Sequence, residues 1–508
     1  MLQITDVVVL LAALVSALYL SRRRRFSLFK RLGVPGPLPS LINGNIPEIK
    51  AKGAAGAFSN WIKQYGDVVG FFNGAAPFLL VKDVDLLKKV LIEDFHVFHE
   101  RGTILSIVPA PVSPEALVFA ARGHRWKFLR GSVSPAFTTS KLAQAFKVFE
   151  TSSQELADII GKQSAVDKSV DAMLLLRRYA LDTILKAGFG VDMGVQKAEP
   201  GGFWDKLAIE SSRLLDSLGL RGITLIANCL PELLPVFMLL TRITAWCLDK
   251  FTALVQDLVK PIIERRREMK SSKAGDILQF LLKIEDVNAA TGNQVHNRLS
   301  RLEILFNAVV YVSAGLDSTV HAVVCALYSV ATHMDIQERL RKEIHAALKE
   351  EGQLTYHAVG RMKYLDMVIK ESMRLYSQNV GFVARRAVSD YTYKDLLIPK
   401  GMSIVAATSC LNVDPDIWSD PTVFDPERFS DENKAGINPI SYLAFGSGPR
   451  NCVGRAFATL NVKTVIATLL SRYRVRMDEE RHKEDLEFRS NLFIKCLPRS
   501  VWFKFENV

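Results

Sequence analysis

The sequence predicts a mainly helical protein with a small β region, built as one large domain behind a single membrane-spanning helix. Three observations carry this expectation. Apolar residues recur at helical spacing over most of the 508-residue chain. Strand character is confined to two stretches, residues 68–81 and 391–407. Residues 2–20 are mostly apolar, and Arg22, Arg23, Arg24 and Arg25 come directly after them.

The N-terminal run comes first. About twenty apolar residues span a bilayer, and a basic cluster stays on the cytoplasmic side. A cleaved signal peptide would carry its charges ahead of the apolar run. Residues 1–21 are therefore expected to be a retained transmembrane signal anchor. Residues 22–39 read as a basic stop-transfer segment and proline-rich hinge, since "VPGPLP" favours extended chain. Residues 40–508 form the main domain.

Within that domain, "VVGFFNGAAPFLLV" reads as two strands around an Asn73-Gly74 turn. Residues 140–178 are an amphipathic helical stretch, and 246–268 a second helical block. Residues 302–333 are apolar nearly all round, which predicts a buried helix. Residues 336–351 form a charged amphipathic helix, and 391–407 return to strands. Residues 220–246 are strongly apolar but broken by Pro231 and Pro235, with Asn228, Glu232 and Arg242 inside. That content argues against a second span. Two readings stay open there: buried core, or a surface that dips into the membrane and admits apolar substrates.

The composition, 49% hydrophobic and 23% charged, is that of a globular protein. A formal charge of +12 calls for an anionic partner. No basic patch is interleaved with aromatics, which sets nucleic acid aside in favour of a lipid bilayer or an acidic protein. Cys229, Cys247, Cys325, Cys410, Cys452 and Cys496 lie far apart, and none sits in a CxxC pair. Such scatter fits a reducing compartment.

One of these cysteines has unusual surroundings. "FGSGPRNCVGRAFA" places Cys452 in a glycine-rich loop just ahead of a helix. The helix starting near Gly454 or Arg455 offers its dipole and free N–H groups to a thiolate. Gly446, Gly448 and Gly454 allow close approach to a flat cofactor, Phe445 can pack on a ring, and Arg450 can pair with a carboxylate. Elsewhere, Glu371 and Arg374 share a helix face, and Trp126 and Arg130 lie one turn apart. "AGLDST" puts Asp317, Ser318 and Thr319 inside the apolar helix, where polar groups need partners. Gly315, two residues earlier, weakens the helix and is expected to open room there. Arg385 and Arg386 are strand neighbours and face opposite ways, so only one can reach a given ligand.

The cysteine loop resembles the FxxGxRxCxG signature of cytochrome P-450, the haem-thiolate monooxygenases, with Phe445, Gly448, Arg450, Cys452 and Gly454 at its fixed positions. "RMKYLDMVIKES", "IPKG" and "WKFLRGSVSPAFTTSKL" look most like the animal microsomal branch that holds xenobiotic- and steroid-oxidising enzymes and thromboxane synthase. The resemblance runs from about Pro35 to the C-terminus. It implies a single triangular, mostly helical domain around haem b (iron protoporphyrin IX), with Cys452 as axial ligand. It implies that Glu371 and Arg374, from ExxR, lock with Arg428 of "PERF" to buttress the cysteine loop. Trp126, Arg130 and Arg385 would contact the haem, and Arg125 or His124 would assist. Asp317 with Ser318 would match the oxygen-activation motif, with serine where threonine is usual and Thr319 as competing hydroxyl. Ser377 also stands where the family places proline.

The function this resemblance implies is that of an endoplasmic-reticulum monooxygenase of EC class 1.14, single-pass, with its catalytic domain on the cytosolic face. It would insert one oxygen atom from O2 into a hydrophobic small molecule, whether xenobiotic, steroid or fatty-acid-like. No flavin domain is visible, so electrons would come from a separate NADPH-dependent flavoprotein reductase, with cytochrome b5 as a second donor. Arg450, Arg455, Lys463 and Lys127 would offer that reductase a basic face. The alternatives are an O2-independent haem-thiolate isomerase or dehydratase, and a non-catalytic membrane-anchored haem sensor or carrier.

Overall fold

The computed structural model describes residues 4–102, 116–217, 222–233, 236, 239, 250–269, 275–285, 298–482, 486–492 and 494–508. In chain order its principal elements are α1 (Ile4–Phe26), α2 (Ile46–Tyr65), β1 (Val68–Asn73), β2 (Ala76–Val81), α3 (Gly123–Val133), α4 (Thr139–Val166), β3 (Ser169–Asp171), α5 (Ala172–Thr183), α6 (Phe203–Ser217) and α7 (Lys250–Glu268). Then come α8 (Arg301–Thr332), α9 (Met334–Glu351), α10 (Lys363–Leu375), β4 (Ala384–Arg386), β5 (Ser403–Ala406), α11 (Arg455–Arg472), β6 (Tyr473–Met477) and β7 (Trp502–Asn507). The fold is mainly helical with small sheets, as the periodicity predicts.

α8 organises the interior. Its start is fixed by a capping box: the Ser300 N–H donates to Glu303 Oε2 at 2.7 Å, and the Glu303 N–H donates to Ser300 Oγ at 3.3 Å. Its side chains are apolar over most of its circumference, and α5, α7, α10 and α11 pack against it. Among the described residues it is the one helix long and apolar enough to cross a membrane, and most of that window is buried. It is a core helix.

The hairpin forms as expected, although the two central turn residues are Gly74 and Ala75, and Gly74 takes the positive φ of 64°. The sheet order is β1-β2-β5-β4, with β2 and β5 parallel and the other pairs antiparallel. A second sheet, β3-β7-β6, ties the C-terminus to the middle of the chain.

One expectation needs correction. The stretch 140–178 is not one helix. It breaks after Val166, and β3 pairs antiparallel with β7 before Asp171 caps α5 through the Met173 N–H. Arg22 to Arg25, the basic cluster, continue α1. In "VPGPLP" Pro35 O accepts from the Gly70 N–H at 2.8 Å, which ties this segment to β1. The block expected over 246–268 begins at Lys250 among the described residues, and 246–249 lie outside them.

Residues 220–246 are described in part. Gly222–Cys229 is a short helix that buries Ala227 and Cys229 and exposes Ile226. Leu233, Val236 and Leu239 are exposed as well. The described part thus divides between the two readings.

Candidate active site

The cysteine loop runs from the end of a turn at Leu443 into α11. The Gly446 N–H donates to Leu443 O at 2.9 Å, the Asn451 N–H to Gly448 O at 3.0 Å, and the Cys452 N–H to Phe445 O at 2.9 Å. Gly446 and Gly448 have φ of 68° and 71°, and a Cβ at Gly448 would collide with the Leu91 carbonyl oxygen. Both glycines are obligatory for backbone reasons. Gly454 is different: its φ is −87°, and a Cβ there would meet only Phe137 at 3.7 Å. Its place in the motif is not explained by the loop's own conformation.

Cys452 opens onto a cavity of ≈ 370 Å³ beneath α8. On every other side protein crowds it. That burial pushes the thiol up, while the Gly454 N–H, Arg130, Arg101 and Arg455 act in the opposite sense. Phe445 lines the same cavity.

Arginines ring this space. Arg130 Nη1 donates to Asn451 O at 2.7 Å and Nη2 to Asn451 Oδ1 at 2.8 Å, so α3 grips the residue next to the cysteine. Arg450 stacks over Trp126 at 4.4 Å and donates to His99 O at 2.7 Å and Ala121 O at 2.6 Å. It meets carbonyls where the sequence suggested a carboxylate. Arg385 faces the cavity and donates to Ser447 O at 3.1 Å, whereas Arg386 turns the other way toward Gly401 O at 3.3 Å. The alternation of β4 settles that choice. Arg101 also lines the cavity, over the Phe382 ring at 4.8 Å. No sequence pattern pointed to it. It comes after His99 and Glu100 in a loop, and only the fold brings it here.

Arg101 Nε, Arg385 Nε and Arg450 Nη1 are buried with no acceptor among the described residues. Burial pushes Arg101 down to about 10, with Arg130 adding, and Arg450 down to about 9, with Arg101 adding. Arg385 falls well below its ordinary value through burial, then through Arg101 and Arg450. Three orphaned guanidinium donors and a thiol on one cavity fit a planar metal macrocycle bearing carboxylates.

α8 forms the opposite wall. Ser313, Ala314, Asp317 and Ser318 lie on one stripe facing the cavity. Ser318 is open to it, and its Oγ donates back to Ala314 O at 2.6 Å. Thr319 touches the same space but is mostly enclosed. Asp317 is buried and anchored: Arg177 Nε of α5 lies 3.4 Å from Oδ1, and the Ser211 hydroxyl of α6 donates to Oδ2. Neither partner was foreseen, since both come from distant helices. Gly315 does not open room toward the cavity as expected; a Cβ there would meet Ile184 at 2.9 Å, so it serves close packing. Ser377, in the proline position, is buried and lines the cavity.

Behind the loop lies the buttress. Arg374 Nε and Nη2 each donate to Glu371 at 2.7 Å in a bidentate pair. Arg428 Nε joins Glu371 Oε1 at 3.2 Å, as does the Asp425 N–H at 3.0 Å. Arg374 Nη1 also donates to Pro421 O at 2.8 Å. The three side chains meet as the motifs imply, and Glu371 and Arg374 are fully buried.

The basic face expected for a reductase is corrected in two positions. Arg450 is buried, and so is Lys463, whose Nζ donates to Met362 O at 2.9 Å. Arg455 and Lys127 are exposed. Arg125 is drawn to Glu303 at 3.6 Å, and His124 points to solvent.

A thiol set in a glycine-rich loop, facing a cavity lined by orphaned arginines and a hydroxyl-bearing helix, has the make-up that a haem-thiolate oxygenase site requires. The comparisons agree. The profile of the family described as Cytochrome P450 matches residues 34–502. Cytochrome P450 3A2 of Rattus norvegicus is 32% identical over 501 residues, 97% of each chain. Cytochrome P450 3A29 of Sus scrofa is 32% identical over 472 residues, 92% of this chain and 90% of its own. Cytochrome P450 3A5 of Homo sapiens is 31% identical over 467 residues, 91% and 89%. The chain belongs to the cytochrome P450 family: it is a monooxygenase, it uses haem b with a cysteine thiolate, and it draws electrons from a redox partner.

Proposed function

We propose that Cys452 is the axial ligand and that Arg101, Arg130, Arg385, Arg450 and Trp126 hold the haem carboxylates and rim, with Phe445 and Gly454 against the macrocycle. The observation that carries this is the meeting of Cys452 with three orphaned guanidinium donors on one cavity. Bound haem supplies the activation of O2. The chain's own residues supply position and protons. Glu371, Arg374 and Arg428 fix the loop. α8 presents the Ser318 hydroxyl to the cavity, where it receives a proton at Oγ and passes on its own. Its bond to Ala314 O holds that hydroxyl in one orientation until the transfer. Asp317 sets the field behind it while Arg177 and Ser211 keep the carboxylate from swinging freely. Thr319, being mostly enclosed, is the reserve hydroxyl.

The substrate is a hydrophobic small molecule of the xenobiotic, steroid or fatty-acid-like kind. The electron donors are an NADPH-dependent flavoprotein reductase and cytochrome b5, met in part by the exposed Arg455 and Lys127. The anchor reading gains support from α1, which is one continuous helix whose residues 4–21, ahead of the arginines, reach about 27 Å at helical rise. Arg22 and Arg25 both pair with Glu232, at 2.7 and 3.3 Å, so Glu232 sits beside the cytosolic end of that helix. The exposed Ile226, Leu233, Val236 and Leu239 then favour a surface that dips into the bilayer. Residues 1–21 serve as anchor, 22–39 as the exit segment, and 40–508 as the catalytic domain, on the cytosolic face of the endoplasmic reticulum.

The test is turnover of a panel of apolar substrates by the full chain with reductase and NADPH. Hydroxylated products dependent on both O2 and NADPH are expected. Product formed without either would favour an isomerase or dehydratase.

A further inference from the structure

A second crevice, of ≈ 610 Å³, opens where α1 leaves its apolar stretch. It lies away from Cys452. Ser21, Arg24, Arg25 and Arg31 form one side, Arg386 stands on another, and Leu28 and Pro77 add apolar walls. The local fold assembles it. α1 ends at Phe26 and the short helical turn Leu28–Arg31 follows it, so that Arg31 Nη1 donates to Ser27 Oγ at 2.9 Å and to Arg24 O at 3.1 Å. This sets the Arg31 guanidinium against the backbone of Arg24, and both residues line the crevice. Phe29 is buried against Phe72 at 5.0 Å, which fixes the turn to the sheet. On β4, Arg385 faces the haem cavity and its neighbour Arg386 faces this crevice.

The charge is not balanced from within. Glu232 is shared by Arg22 and Arg25. Glu100 lies 3.9 Å from Arg386 and 3.7 Å from Arg122. Among the described residues neither Arg24 nor Arg31 forms an ion pair, and both are exposed. Leu18, Tyr19 and Leu20, one turn before, are exposed apolar side chains. A pocket with guanidinium donors at one end and an apolar helix surface leading away from it matches an amphiphile with a phosphate head.

We propose that this crevice is a binding site for the headgroup phosphate of an anionic membrane phospholipid, with the acyl chains lying along α1. The inference rests on the reading of α1 as the membrane anchor. The site is specific in that Arg24 and Arg31 line it, whereas Arg23 and Lys30, also exposed and equally basic, do not.

The full chain, loaded with haem, is reconstituted into phosphatidylcholine nanodiscs containing a minor fraction of phosphatidylserine. The lipid retained on the protein after detergent extraction is then quantified by mass spectrometry. Wild type should retain phosphatidylserine above its bulk fraction. Arg24→Gln with Arg31→Gln should lower that enrichment by about fivefold or more, the factor for roughly one basic contact at an anionic surface. Arg23→Gln with Lys30→Gln removes the same charge and should leave the enrichment nearly intact. Equal loss in both double variants would mean a diffuse basic attraction and would overturn the site. Displacement of the retained lipid by inorganic phosphate alone, at physiological concentration, would overturn the lipid as occupant and assign a free-phosphate site. Flotation on pure phosphatidylcholine vesicles tests the anchor separately. Protein that fails to float there overturns the anchor and the lipid together, whereas protein that floats without enrichment overturns only the crevice.

Discussion

Two groups of buried arginines lie on either side of the cysteine loop, and they are built on opposite principles. Arg374 and Arg428 share Glu371, and each finds further acceptors in nearby carbonyls. Arg101, Arg385 and Arg450 crowd one another, and each leaves a donor without an acceptor among the described residues. Taking a charge out of water is costly unless it is paired and hydrogen-bonded. The first group meets that requirement within the chain, so it is a finished structural part. The second meets it only when an anionic group enters the cavity. A chain that leaves three charges incomplete at one place marks where its cofactor belongs.

The comparison breaks most severely at its satisfied side. Glu371→Gln keeps the shape but leaves Arg374 and Arg428 facing no charge. A loss of about 3–5 kcal/mol is expected, which should show as little folded, haem-loaded protein and a sharply lowered thermal midpoint. If Glu371→Gln folds and loads haem like wild type, the buttress is not what holds the loop.

The unsatisfied side should respond differently in the two states. Arg385→Met removes a buried charge that the haem-free protein cannot compensate, and it also removes a contact for a carboxylate. The thermal midpoint of the haem-free protein should stay level or rise. Haem transfer to a high-affinity acceptor should become faster by roughly ten- to a hundredfold, the worth of a charge-assisted hydrogen bond of about 1.5–3 kcal/mol. A variant that loses stability equally with and without haem would make Arg385 another structural arginine.

The smallest effect separates the two hydroxyls. Ser318→Ala should raise peroxide formed per NADPH and lower product a few-fold, with substrate affinity nearly unchanged. Thr319→Ala should do less, because Thr319 is mostly enclosed while Ser318 is open to the cavity. The reverse ranking would move the relay to Thr319.

The same contrast explains what could be read from the sequence. The buttress was legible through the family resemblance alone, since a helical Glu371–Arg374 pair by itself reads as a surface salt bridge and "PERF" marks Arg428 only by its likeness to the family. α8 was legible from its unbroken apolar content, and so was the cysteine loop from its glycines. Arg101 was not, because a loop arginine has no period and its meaning depends on what stands opposite. Arg177 and Ser211 were hidden for the same reason: they reach Asp317 from 140 and 106 residues away. Arg450 and Lys463 misled as surface charges because nothing in their neighbours announces burial. α4 and α5 read as one helix because helical periodicity continues past the short strand that separates them, and β3 exists only by pairing with the far C-terminus.

The central claim is that the Cys452 thiolate holds the haem iron. Its most direct test is the absorption spectrum of the reduced carbon monoxide complex of Cys452→Ser, with haem content fixed independently by pyridine haemochromogen assay. The wild-type protein should show the strongly red-shifted Soret band that a thiolate ligand produces. The variant should lose that band while some haem remains, held by the arginine wall. A red-shifted band unchanged in Cys452→Ser would contradict the assignment of the ligand and, with it, the reading of the whole cavity.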